Sequence, residues 1–302
     1  MRGPFTSAAF VAAGFSKKIL LSKRFTRWHP RVWVSSTYEM TQADRREAAR
    51  LALPERARMT GITRIQDLGL DYGDDAPLHF VVEGALHLAL EGIMLHRTVQ
   101  MPPTDDRGVT PAAAFVAYCV GARVIDAIAV GDWLLYGRHM SLDELADLVT
   151  EQPWRNGAAQ ALSALPYLIT NSRSLPESKL RVIFGASEIA GLEPNAPFEM
   201  PDGRVVEVDL LHRGCRFAIE YDGSHHQTQR GQYLKDIDRY EAFRDAELTY
   251  KLVTKEHMHY PKGVVLNIYH RLLDRGYDGP APEFGMRWRS IFQDIRPSAS
   301  GG

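Results

Sequence analysis

The chain has 302 residues, a formal net charge of −1, 45% hydrophobic residues and two cysteines, Cys119 and Cys215. That length exceeds the usual size of one domain, so two or more domains are expected. Two cysteines are too few for a disulfide framework or a thiolate zinc site, and such a low content suits a reducing compartment, so a cytoplasmic protein is expected.

The first module, residues 1–38, is predicted to be a small winged helix. Two short helical patterns are followed by two β-rich runs that turn at His29-Pro30, which is winged-helix order. The predicted elements are helices at residues 6–13 and 16–23 and strands at residues 25–28 and 32–34.

Basic residues are concentrated in this module, before the first acidic residue, Glu39. Those expected to contact the phosphates of DNA are Lys17, Lys18, Lys23, Arg24, Arg27 and Arg31. A small basic interaction module, or a helical lead-in to the next domain, would have the same pattern, so these alternatives stay open.

Residues 39–170 are predicted to form a mostly helical spacer domain. The predicted elements are a helix at 41–52, a strand at 78–82, a long helix beginning at Thr110-Pro111 and a helix opened by the capping box Ser141 to Glu144. Three charged residues interrupt the apolar run at about 111–136, which argues against a membrane span. His79, His87 and His96 lack metal-ligand spacing and are read as structural or surface histidines.

From residue 171 the pattern becomes helix, strand hairpin, helix, strand, which predicts an α/β (α+β) domain over residues 171–283. A helix starts at a capping box, Ser174 to Glu177, and runs to about Ala190. After the hairpin at 204–222 come a charged helix at about 232–245, a strand at 248–254 and a helix around 262–275. The remaining residues, 284–302, are a tail whose end is expected to be disordered.

The hairpin carries four carboxylates on one predicted face. A two-residue type II′ turn at Gly214-Cys215 would set Asp209 opposite Glu220 and Glu207 opposite Asp222, with the apolar pairs Leu210–Ile219 and Val208–Tyr221 on the other face. Like charges about 5 Å apart destabilise a sheet, so a hard divalent cation, Mg²⁺ or Mn²⁺, is expected between them. A solvated acidic face is the alternative.

The order of Glu177 on a helix, Asp209 on a strand and Glu220 on the next strand resembles a PD-(D/E)xK, or restriction-endonuclease-like, core. The runs Glu220-Tyr-Asp-Gly-Ser-His-His226 and Asp236-Ile-Asp-Arg239 are similar to the E-x-D-G-x-x-H and D-x-x-R motifs of a family grouped with very-short-patch-repair endonucleases. This resemblance covers roughly residues 170–260. About residues 1–35 resemble the winged-helix segment of abortive-infection-type antitoxins.

The resemblance implies a central mixed sheet flanked by helices, and it implies roles for matching residues. Asp209 and Glu220 would bind Mg²⁺ with the carbonyl of Tyr221, and Glu177 would hold a metal water or a second ion, unless it only caps its helix. Asp222 stands where the wider superfamily has lysine, or it simply ends the strand in a turn. In place of the lysine, His226 would transfer the proton and His225 would bind the phosphate, unless this histidine pair is incidental. Asp236 and Arg239 are expected to form a structural or phosphate-facing pair, in which Arg239 could bind the scissile phosphate.

The function expected from these observations is a metal-dependent DNA endonuclease or nickase. A DNA-binding regulator or antitoxin-like protein with an inactive nuclease fold is the alternative, since the lysine is replaced. A nuclease acting on RNA has the same sequence signature. Cleavage of both strands usually needs two active sites, so a homodimer is a further expectation.

Overall fold

The computed structural model describes residues 3–223 and 239–296. The chain is mixed α and β, as predicted, with mixed or antiparallel sheets. It divides into two compact units. The first comprises Met1–Val120 and His139–Ala161, and the second comprises Gly121–Arg138 and Leu162–Gly302.

The elements of the described residues are numbered here in chain order. The helices are α1 (Ser7–Ala12), α2 (Gln42–Ala52), α3 (Gly61–Asp67), α4 (Pro111–Tyr118), α5 (Val124–Tyr136), α6 (Leu142–Glu151), α7 (Ala158–Ala164), α8 (Leu175–Ala186), α9 (residues 239–245), α10 (Pro261–Leu273) and α11 (Met286–Ser290). The strands are β1 (Phe5–Thr6), β2 (Phe25–His29), β3 (Val32–Ser35), β4 (Arg58–Met59), β5 (Leu78–Glu83), β6 (Ile93–Thr98), β7 (Leu192–Glu199), β8 (Val205–His212), β9 (Phe217–Asp222) and β10 (Thr249–Thr254). No helix of the described ranges has the length and apolarity that crossing a membrane requires.

The amino-terminal residues form a three-stranded sheet in the order β1-β3-β2, and Phe10 of α1 packs with Phe5, Phe25 and Trp33 of that sheet. The predicted first helix and both predicted strands are present, but the predicted second helix is one 3₁₀ turn, Lys17–Leu21. Only Leu20 of that turn is buried, where it joins Phe5 and Phe10 in the core. A single anchoring side chain gives too little apolar contact to support a longer amphipathic helix.

The rest of the first unit contains helices and a three-stranded sheet in the order β4-β5-β6. The predicted capping box at Ser141 opens α6, and a further capping box, at Thr41, opens α2. Strand β6, which the sequence pattern did not predict, runs parallel to β5.

The long helix predicted from Thr110 is wrong, because the chain breaks into α4 and α5. Between them, Arg123 pairs with Asp294 in an antiparallel bridge, and the N–H of Ile295 donates to the carbonyl of Ala122. Extended backbone that pairs with a second segment cannot continue a helix. The helix break therefore supplies a docking edge for the carboxy-terminal residues.

The second unit is built on a four-stranded mixed sheet in the order β10-β9-β8-β7, in which β9 and β10 are parallel. Phe243 of α9 packs with Val208, Leu211 and Ala218 of the sheet in a buried apolar cluster. Helix α8 ends at Ala186, four residues before its predicted end, because Glu188 adopts a left-handed conformation with φ 65°.

The β8–β9 hairpin has the predicted register near its turn only, and it has a different turn. Leu210 pairs with Ile219 and His212 with Phe217, as an even-length loop centred between Gly214 and Cys215 requires. The predicted pairs Val208–Tyr221, Asp209–Glu220 and Glu207–Asp222 are wrong, because the ladder ends at Leu210–Ile219. The predicted type II′ turn is wrong: the turn spans Arg213–Arg216, and its left-handed residue is Arg216, with φ 47°. The imidazole Nδ1 of His212 accepts the N–H of Cys215 at 3.0 Å, which stabilises this wider turn.

Candidate metal and phosphodiesterase site

The candidate site lies where β8 and β9 stop pairing. Their backbone ladder runs from His212–Phe217 to Leu210–Ile219. Beyond the Leu210–Ile219 pair, the N–H of Tyr221 donates to the side chain of Asp209 instead of to a backbone carbonyl of β8. The distance to Oδ2 of Asp209 is 2.7 Å. The side chain of Asp209 is therefore fixed against the strand that carries Glu220.

Arg239 of α9 binds the second carboxylate. Its Nη2 lies 2.9 Å from both carboxylate oxygens of Glu220 and 2.5 Å from the carbonyl oxygen of Glu207. The guanidinium also lies over the ring of Phe243, 5.3 Å from its centroid. Glu220 is only 6% exposed, so this arginine is the counter-ion of a buried carboxylate.

Burial and mutual repulsion favour the protonated forms of the two carboxylates. Burial, followed by the charges of Glu220 and Glu177, raises the pKa of Asp209 to about 8. Burial likewise raises the pKa of Glu220, and the nearby charge of Arg239 opposes that rise. Full ionisation of Asp209, Glu220 and Glu177 would exceed the one positive charge of Arg239, so the cluster keeps protons near neutral pH.

Glu177 belongs to this cluster and also caps α8. Its backbone N–H donates to the hydroxyl of Ser174, the N-cap residue, at 3.3 Å. Its carboxylate accepts from that hydroxyl at 2.9 Å and from the N–H of Arg173 at 3.0 Å, so the reciprocal bond of a capping box goes to Arg173. Its charge raises the pKa of both Asp209 and Glu220. The two predicted roles of Glu177 are therefore compatible.

The other two carboxylates of the predicted face have separate surroundings. Glu207 forms an ion pair with Arg173, with 3.2 Å between Oε2 and Nη2. Asp222 is the last residue of β9, is half-buried, and pairs with Thr254 of β10. The described cluster is consequently Asp209, Glu220 and Glu177, rather than four residues of one hairpin.

The adjacent strand does not supply the lysine that Asp222 replaces. Lys251 of β10 pairs with Ile219, and its neighbour Leu252 pairs with Glu220. Since side chains alternate across a sheet, Lys251 projects to the face opposite Glu220. In the part of the chain that the structure describes, Arg239 supplies the cationic side chain that pairs with Glu220.

The donor set suits a hard divalent cation, because a bound cation would offset the charge of ionised Asp209 and Glu220, which Arg239 alone does not neutralise. Within residues 3–223 and 239–296, no three His, Cys, Asp or Glu side chains form a group able to hold a metal ion. Asp209 and Glu220 would thus act as a pair, completed by the carbonyl of Tyr221 and by water. Mg²⁺ commonly binds through one or two carboxylates and keeps several waters.

His225, His226 and Asp236 lie outside the described residues, so their predicted roles stay predictions. In the amino-terminal module, every residue predicted to contact DNA is exposed: Lys17, Lys18, Lys23, Arg24, Arg27 and Arg31. Trp28 and Phe15 of the same module are 41% and 49% exposed.

His79 and His96 are in contact, which the sequence pattern did not predict. Nδ1 of His79 and Nε2 of His96 lie 2.9 Å apart, and their rings stack. The two residues are on parallel strands β5 and β6, and β6 was not predicted. Burial lowers the pKa of both imidazoles, so a neutral hydrogen-bonded pair is favoured. His87, the third histidine of that group, is exposed.

Comparison with known proteins identifies no family for this chain. No family model matches it, and no curated protein matches it. The resemblance to PD-(D/E)xK nucleases therefore rests on the sequence motifs.

Proposed function

We propose that the protein is a metal-dependent endonuclease or nickase that hydrolyses phosphodiester bonds in DNA. The observation that carries this proposal is the cluster of Asp209, Glu220 and Glu177 around Arg239, at the point where two strands of a mixed sheet diverge. Carboxylates whose pKa values are raised by burial and by neighbouring charges are concentrated at functional sites.

Each side chain of the cluster would have a separate role in the reaction. Asp209 and Glu220 would hold Mg²⁺ or Mn²⁺, together with the carbonyl of Tyr221. When bound, the cation would supply Lewis-acid polarisation of the phosphate and favour ionisation of water. Arg239 would exchange part of its contact with Glu220 for the phosphate, since a planar guanidinium binds phosphate oxygens well. Its Nε is buried and has no hydrogen-bond partner among the described residues.

Two histidines remain assigned by resemblance alone. His226 would transfer a proton to or from water or the leaving oxygen, because imidazole titrates near neutral pH. His225 would bind the phosphate. Exposed basic and aromatic residues of the amino-terminal module support DNA as the partner, because basic side chains pair with phosphates and aromatic rings stack on bases.

The test is cleavage of supercoiled plasmid with Mg²⁺, with Mn²⁺ and with a chelator. Wild type should nick the plasmid only with a divalent cation, and Asp209→Asn and Glu220→Gln should each lose activity by at least about 100-fold. These substitutions keep side-chain shape and an acceptor oxygen, so folding can be checked by circular dichroism. Asp202→Asn, which removes an exposed carboxylate from the β7–β8 turn, should cleave like wild type.

Nicking at wild-type rates by folded Asp209→Asn protein would contradict the proposal. A matched RNA strand in the same assay separates DNA from RNA cleavage. Light scattering of the protein with and without DNA tests the proposed homodimer.

A DNA-binding regulator without nuclease activity is the second candidate. It is favoured by one observation, that both oxygens of Glu220 already accept from Arg239, an internal cation that can neutralise this carboxylate permanently. Under this alternative, DNA binding would be strong and salt-dependent, divalent cations would not affect it, and no plasmid would be cut.

A further inference from the structure

A cavity of about 510 Å³ lies within the second unit, on the side of α8 that faces α5, β8 and the carboxy-terminal segment. Its walls are mainly apolar. Ile128, Val182, Leu210, Ile291 and Ile295 line it, and each is under 10% exposed. Cavities of roughly 300–1,000 Å³ with apolar walls and a few polar groups are the usual sites of small organic ligands.

The charged groups of the cavity wall are predominantly basic. Arg181, Arg287 and Arg296 line it together with one carboxylate, Asp294. Arg181 is held in place because its Nη2 donates to the carboxylate of Asp132 at 2.8 Å and to the carbonyl of Tyr167 at 2.9 Å. Arg181 thus lines the cavity as part of a buried ion pair. An anionic group at the cavity entrance would meet the charges of Arg287 and Arg296, which are both exposed.

Gly185 lies inside α8, at the exposed entrance to the cavity. A Cβ built on it would meet no described atom beyond its own helix and chain neighbours within 4 Å, so this position can accept a larger side chain. No close contact and no left-handed conformation requires a glycine here.

We infer that this cavity binds a lipophilic carboxylic acid, with its apolar body against α5, α8 and β8 and its carboxylate at the arginines. A single negative charge suits the wall better than a phosphate dianion, because Asp294 repels a second charge and burial of that charge is costly. This site is distinct from the carboxylate cluster and does not depend on the proposed nuclease activity.

Calorimetric titration of the full chain with decanoate and with the neutral analogue decanol tests the inference. Decanoate should bind with a Kd at or below roughly 100 µM and should raise the melting temperature. Decanol should bind at least about tenfold more weakly, since it lacks the charge that the arginines recognise. Absence of saturable decanoate binding up to about 1 mM, or equal binding of decanol, would overturn the inference.

Substitutions at one position locate the site. Gly185→Leu places a side chain at the exposed cavity entrance, and the gain in helix propensity should preserve stability. It should weaken decanoate binding at least about tenfold, whereas Gly185→Ala should leave most of the binding intact. Unchanged binding in Gly185→Leu would place the ligand elsewhere and overturn the assignment.

A second variant removes a positive charge at the cavity entrance. Arg287 has a 62% exposed side chain, and its nearest carboxylate, Glu188, is 3.6 Å away, so Arg287→Gln should fold normally. This variant should weaken binding of decanoate about threefold or more and leave decanol binding unchanged. Equal effects on both probes would contradict recognition of the carboxylate.

Discussion

Asp209 makes the stability of the metal-free protein depend on pH. Its pKa is raised from 3.8 to about 8 in the folded chain, so the folded protein keeps a proton that the unfolded chain releases. The free energy of unfolding should therefore fall as pH rises from about 4 to about 8, and Asp209→Asn should remove on the order of 2 kcal/mol of that fall.

The measurement is urea unfolding with chelator at about pH 5 and about pH 8. Asp245→Asn, which removes an exposed carboxylate, is the control and should keep the wild-type slope. Identical slopes for wild type and Asp209→Asn would show that Asp209 does not titrate in this range.

Arg239 should be the most costly residue of the cluster to remove. Arg239→Gln leaves the buried Glu220 without its counter-ion, and loss of one partner from a buried ion pair costs about 3–5 kcal/mol. Arg244→Gln, in the same helix, removes an exposed arginine that lies 3.6 Å from Glu241 and should cost under about 0.5 kcal/mol.

Urea unfolding of the two variants gives the comparison. Equal stabilities would contradict the assignment of Arg239 as the counter-ion. Added Mg²⁺ should recover part of the loss in Arg239→Gln if the cation binds the same carboxylates.

At the scale of single residues, the sequence predicted part of the site. The alternation of apolar and polar residues in β8 and β9 predicted the pairing of Leu210 with Ile219. A shift of the pairing by one residue would turn the apolar side chains away from the buried face. The contact between Arg239 and Glu220 was not predicted, because the register of a strand does not determine the angle at which the next helix packs on the sheet. The bond from Tyr221 to Asp209 was also missed, since it requires the strands to diverge.

At the scale of elements, substitutions at the start of α8 distinguish the helix-capping role of Glu177 from its proposed catalytic role. Ser174→Ala should cost about 1 kcal/mol, because the hydroxyl accepts the N–H of Glu177 at the helix start. Glu177→Gln retains an acceptor oxygen and should change stability by less than about 0.5 kcal/mol.

The plasmid-cleavage assay then tests whether the charge of Glu177 also contributes to catalysis. If its charge serves catalysis, Glu177→Gln should cleave at least about tenfold more slowly, whereas Ser174→Ala should cleave normally once folded. Wild-type cleavage by Glu177→Gln would limit Glu177 to helix capping.

Elements with strong local signals were predicted well, and those that depend on distant partners were not. The caps at Thr41, Thr110 and Ser141 mark helix starts because a side-chain oxygen binds the first free N–H groups. Strand β7 was missed because it contains Pro194 and Pro197, which usually exclude a strand. It is tolerated because β7 is an edge strand, where a missing N–H can face away from the sheet.

At the scale of the whole molecule, DNA binding should depend on the charge of the amino-terminal module. Replacing Lys17, Lys18 and Arg24 with alanine should weaken duplex binding at about 100 mM salt and reduce the slope of log affinity against log salt by up to about 3. All three side chains are exposed, so the fold should be unaffected.

Fluorescence anisotropy with a labelled duplex, over a series of salt concentrations, measures both quantities. Arg138→Ala, which removes an exposed arginine from the end of α5, is the control and should bind like wild type. An unchanged slope in the triple variant would place DNA on another surface of the protein.

The most direct test of the central claim is calorimetric titration of Mn²⁺ and Mg²⁺ into wild type and Asp209→Asn at about pH 8, after treatment with chelator. Buried carboxylates in excess over Arg239 predict saturable uptake by wild type at or below millimolar cation, with release of protons, and none by folded Asp209→Asn protein. Absence of uptake by wild type, or equal uptake by both proteins, would contradict the account.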